Sequence, residues 1–130
     1  MAYNSLGEIR KEREDRVSAL LKECGVFFAF SNQQFEENKT PVAEGEKYCS
    51  VGGGGYMPSS NKQKFRDGFD AMNKWYEAAV DEANLQDEEI LYELHNHECF
   101  YTGDPGDVIE MFEGRYEKER IIRVFYSKAS

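Results

Sequence analysis

The sequence predicts an α+β fold, one mainly helical domain over residues 1–130 with a small antiparallel sheet of two to three strands. Three observations carry that expectation. Apolar residues recur at helical spacing through residues 5–24, 61–85 and the last third of the chain. A short apolar and aromatic run, VFFAF at 26–30, is too brief and too bulky for a helix and reads as a buried strand. Four consecutive glycines at 52–55 then mark a stretch that no regular element holds without a large entropic cost.

Taken in order, residues 5–24 place Ile9, Val17, Leu20, Leu21 and Cys24 near one helical face, and Gly25 suits the stop. After VFFAF, the segment SNQQFEENK reads as a short helix capped by Ser31 or Asn32. GEKYCSV at 45–51 is a second strand. Beyond the glycines, Ser59 or Ser60 caps the longest helix, with Phe65, Phe69, Met72, Trp75, Tyr76, Ala79 and Val80 inward. Gly68 inside that helix costs roughly 1 kcal/mol against Ala, which a close approach to another backbone would explain. Three helices follow: 88–99, then Pro105–Glu113 capped by Asp104 and closed by Gly114, then 116–128 with Ile121, Ile122, Val124 and Phe125 inward.

Charge is unevenly placed. The 130 residues carry a net charge of −9, and between Glu77 and Gly114 there are twelve Asp or Glu and no Lys or Arg. The remainder holds 13 acidic and 16 basic residues. A negative field of this kind repels phosphate backbones, so direct nucleic-acid binding is not expected. It either keeps the protein dispersed or attracts a basic protein surface, including one that normally holds DNA or RNA. Cys24, Cys49 and Cys99 are an odd number without CxxC spacing. No signal-type segment opens the chain and no apolar run nears ~20 residues. The expectation is a cytoplasmic protein with reduced thiols, no membrane span and no cofactor.

Both histidines fall in ELHNHECFYTGDPGD, residues 93–107. As a strand, His95, His97 and Cys99 would share a face and could converge on zinc in a metal-dependent enzyme. As a helix, His95 and His97 point about 200° apart, because each residue turns ~100°. Ile90, Leu91 and Leu94 keep helical spacing, which favours the helix. It places His95 and Cys99 inward and His97 with Glu93 on the wetter side. A Cys99 nucleophile would need a lowered thiol pKa, and the surrounding acids act the other way.

The glycine run admits two readings. Gly53, Gly54 and Gly55 followed by Ser60, Lys62 and Lys64 would let a strand, loop and helix start cradle a phosphate, as in a nucleotide-signal binder. Neither GxxxxGK[ST] nor GxGxxG is present, and a plain hairpin or strand-to-helix connection is the simpler reading.

FFAFSNQQF at 27–35, KYCSVGGGGYMP at 47–58 and YELHNHECFYTGD at 92–104 together resemble a family of small uncharacterised proteins of bacteriophages and mobile elements. NHECFYTGD is the firmest match. The resemblance implies a phage accessory gene expressed in the host bacterial cytoplasm, and it transfers no catalytic residue. Small phage proteins of this size include anti-CRISPR proteins that inhibit host defence by stoichiometric binding. The expected partner is then a basic host surface, such as a nucleic-acid-binding effector. The expected contact residues are Glu88, Glu89, Tyr92, Glu93, His97, Glu98, Tyr101, Asp104 and Asp107. Tyr3, Tyr116, Phe125 and Tyr126 exceed what the termini need to bury, and a homodimer would cover them.

Overall fold

The computed structural model describes residues 3–129. They form an α+β fold of seven α-helices and one three-stranded antiparallel sheet among the described residues. The chain groups into two compact units. One holds Ile9–Ala78, the other runs from Ala79 onward with the segment before Ile9.

In the Ile9–Ala78 unit, helix α1 (Leu6–Glu23) ends before Gly25, whose φ of +74° favours a residue without a Cβ. Strand β1 (Phe27–Phe28) pairs with β3 (Gly55–Pro58), which pairs with β2 (Tyr48–Gly52), giving the order β1-β3-β2. β1 is shorter and less buried than VFFAF suggests. Phe27 and Ala29 face inward while Phe28 and Phe30 are exposed, the alternation of an edge strand with one wet face. The third strand was hidden in GYMP, where Gly and Pro mask the pattern.

Helix α2 (Asn32–Asn38) starts where Ser31 Oγ accepts from the Gln34 amide at 3.1 Å. Its Phe35 meets Phe27, Tyr48 and Tyr56 edge-on, each at 5.2 Å or, for Tyr48 with Phe27, 5.5 Å between centroids. Each such aromatic pair contributes about 1 kcal/mol beyond area burial. A 3-10 turn (Ser59–Asn61) precedes α3 (Lys62–Glu82).

α1 and α3 lie side by side. Arg10 donates to Tyr76 Oη at 3.2 Å, Arg13 stands 4.8 Å from the Tyr76 ring and Arg16 3.9 Å from the Trp75 ring. Gly68 is explained by this pairing, though by a side chain rather than a backbone. A Cβ there would stand 2.4 Å from Leu20 Cδ1.

The other unit is helical. After Asn84, at φ +55°, come α4 (Gln86–Asn96), the single turn α5 (Cys99–Thr102), α6 (Gly106–Met111) and α7 (Lys118–Ala129). Ile90, Leu94, Cys99, Val108, Phe112, Ile121, Val124 and Phe125 form one core. The predicted helix 88–99 is thus two elements, because Glu98 at φ +55° breaks it. Phe125 is core and Tyr116 is half-buried against that core, so two of the four aromatics assigned to a dimer are covered within this unit.

Candidate functional site

α4 carries the first half of the candidate site. Asp87, Glu88 and Glu89 fill its first turn, where the helix dipole favours carboxylates. Its buried face is Glu89, Ile90, Glu93 and Leu94. Glu89 and Glu93 are only 4% and 7% exposed, so these two expected contact residues are not on the surface.

Glu89 is held by partners that lie far along the chain. Arg115 Nε donates to its Oε1 at 3.1 Å, and Tyr116 Oη donates to the same oxygen at 2.7 Å. Arg115 also reaches Asp81 at 3.3 Å and stands 4.6 Å from the Tyr116 ring. Burial, reinforced by Glu89, pushes the Tyr116 phenol far above its ordinary value of 10.0. Arg120 and Arg123 pair with Asp87 at 2.9 and 3.7 Å. Arginines just beyond the base-free stretch therefore fold back and offset part of its charge. Sequence reading missed Arg115 and Tyr116 because nothing local marks them as partners of a residue 26 or 27 positions earlier.

His97 caps the end of α4 and lies 3.5 Å from Glu93, an ion pair only when the ring is protonated. His95 is exposed rather than inward, its ring 4.9 Å from that of Phe100. Cys99 is buried, so it does not share a face with either ring. Burial, with Asp107 and Asp104 adding to it, pushes its thiol up, the opposite of what an activated nucleophile needs. Among the described residues no group of three or more His, Cys, Asp or Glu is arranged to hold a metal ion.

The exposed remainder of the site is α5, α6 and the loop between them. Asp104 Oδ1 accepts from the Gly106 amide at 2.8 Å and so sets the turn into α6, one residue later than the sequence suggests. Glu98, Asp104, Asp107, Glu110 and Glu113 are all exposed. Tyr101 stands out at 91% exposure, Met111 at 52% and Tyr92, on α4, at 38%. His95, Glu98, Phe100 and Tyr101 line an open cleft of about 460 Å³. Glu88, also exposed, lies on the first turn of α4.

The alternative phosphate cradle is pulled apart. Gly52 to Gly55 make the β2–β3 turn, with positive φ at Gly52, Gly53 and Gly54. β3 then carries the chain about 13 Å away before the helix start, at ~3.4 Å per residue. Ser60 bonds Glu46 and Lys64 pairs with Glu23 at 3.4 Å. The glycines and Ser60, Lys62 and Lys64 therefore sit at opposite ends of the hairpin.

The sequence profile of a family of unknown function, DUF7659, matches residues 9–130. The chain belongs to that family. The DUF7659 match takes in both the glycine hairpin and the α4–α7 unit, so neither is an appendage to the family's common region. No curated protein and no solved structure matches the chain. Among the described residues no helix is long and apolar enough to cross a membrane.

Proposed function

We propose that this member of DUF7659 is a non-catalytic binding protein that engages a basic protein surface through α5 and α6. The observation that carries the reading is the run of exposed carboxylates Glu98, Asp104, Asp107, Glu110 and Glu113 in the same stretch as the highly exposed Tyr101, a segment without a single Lys or Arg. Like-signed charge with an aromatic anchor speeds encounter with a complementary surface and supplies a contact that can be desolvated. Compared with the residues expected from sequence, Glu89 and Glu93 drop out as buried.

The finer proposal is a phage-encoded inhibitor of a host defence nuclease, acting stoichiometrically in the bacterial cytoplasm. Two things support it: the resemblance of residues 27–35, 47–58 and 92–104 to proteins of phages and mobile elements, and the fit of an acidic surface to a groove built for a nucleic-acid backbone.

The test is capture of a host nucleic-acid-binding protein, repeated at low and high salt. Exposed charge interactions fade as the Debye length falls from ~10 Å at 0.1 M to ~3 Å at 1 M. Capture that weakens with salt and is lost in Asp104→Asn/Asp107→Asn/Glu110→Gln supports the proposal. Asn at 104 keeps the acceptor for Gly106, so the turn survives. Capture indifferent to both salt and these substitutions sinks it.

A further inference from the structure

The Ile9–Ala78 unit contains a cleft of about 320 Å³ between the hairpin and α3. Its apolar lining comes from Val51 and Met57 on the sheet and Phe65 and Phe69 on the helix. Two cations, Lys62 and Arg66, line it from α3. They are one turn apart and so share a helix face. Neither side chain has an acidic partner among the described residues, whereas Lys64 between them is paired with Glu23. Unpartnered cations beside an apolar cleft are conspicuous in a chain of net charge −9.

Asp70 lines the same cleft one turn beyond Arg66 and about 12 Å from Lys62, at 1.5 Å per helical residue. The cleft is therefore polarised. Its positive end coincides with the first turns of α3, where the helix dipole also favours negative charge.

We propose that this cleft binds a small amphipathic anion, with an apolar body against Val51, Met57, Phe65 and Phe69 and a carboxylate or phosphate head between Lys62 and Arg66. The size and the mix of apolar lining with a few polar groups are those of a small-molecule site. Asp70 disfavours the reversed pose by repulsion. The site is distinct from the glycine turn and independent of the surface on α5 and α6.

Cys49 lines the cleft and is half-buried, while Cys24 and Cys99 are sealed at 0% and 1% exposure. The rate at which N-ethylmaleimide modifies the intact protein therefore reports on occupancy at Cys49. Decanoate and decyl phosphate, each below its micellar concentration, are expected to slow modification several-fold. Comparing the two distinguishes a carboxylate head from a phosphate head. Decyltrimethylammonium, with the same tail and the opposite charge, is expected to leave the rate unchanged. Lys62→Gln/Arg66→Gln should raise the protecting concentration by about tenfold or more, since it removes two charge-assisted contacts. Lys64→Gln should not. Both substitutions change exposed side chains, and an unaltered circular dichroism spectrum verifies the fold. The proposal is overturned if neither anion protects Cys49, if the cationic analogue protects it equally well, or if the double variant protects as well as the parent.

Discussion

Both units of this chain set arginines over aromatic rings, but only the unit beyond Ala79 also brings one to a buried carboxylate. In the Ile9–Ala78 unit, Arg13 and Arg16 of α1 lie over the rings of Tyr76 and Trp75 on α3. In the unit beyond Ala79, Arg115, Arg120 and Arg123 go to Glu89, Asp81 and Asp87. The difference follows what each unit has to hold together. The first is rich in aromatics and keeps its arginines part-exposed, where a cation over a ring adds about 0.5–1 kcal/mol. The second has buried a carboxylate, and a buried carboxylate without its counter-charge is strongly destabilising. A linear count of acids therefore overstates the charge that the second unit presents.

The sharpest way to break the comparison is Glu89→Ala. It leaves Arg115 without its buried partner and is expected to cost about 3 kcal/mol, read as a lower denaturation midpoint in urea. Hydrogen exchange should quicken most in α4 and α7. A loss below 0.5 kcal/mol would mean the network contributes no more than a surface pair.

Next in size is Tyr116→Phe, which deletes a hydrogen bond to a charged group and should cost about 2 kcal/mol at neutral pH. It also carries a pH signature. The folded phenol titrates above 10.0, so the unfolded chain releases that proton first as pH rises. The stabilisation is complete below pH 10.0 and drains away above it. Wild type should lose stability on alkalinisation more steeply than Tyr116→Phe; parallel profiles would refute the assignment.

In the other unit, Gly68→Ala brings a Cβ to 2.4 Å from Leu20 Cδ1. Overpacking should outweigh the gain in helix propensity, for a net loss of about 1.5 kcal/mol. Leu20→Ala makes room, so the double variant should be more stable than the sum of the single effects. Strict additivity would show that the two residues do not meet. Smallest is Ser31→Ala, about 1 kcal/mol from the lost cap of α2, measurable as a lower thermal midpoint.

Much of the fold was legible because it is local. α3 and α7 announce themselves by period, α2 by its Ser31 cap, and α6 by Asp104 and Pro105. The failures that bear on the site are mostly non-local. The inward face of α4 includes Glu89 and Glu93, which periodicity reads as polar; for Glu89 burial is made possible by Arg115 and Tyr116. The spacing from Leu91 predicts His95 inward, yet the helix turns its Glu93–Leu94 side to the core. The glycines looked like a prelude to α3 until β3 intervened. The exposed acids of the candidate site, Glu98, Asp104 and Asp107, were readable, since no partner had to be guessed to leave them on the surface.

The hairpin tip has one more consequence. A Cβ built at Gly52 or Gly53 meets nothing within 4 Å, so the chain there is hemmed in by no neighbour. Lengthening a loop costs only about 0.6 kcal/mol per doubling once the ends are held, and β2 and β3 hold them. An epitope tag or a whole reporter domain grafted between these two residues should leave the host fold intact.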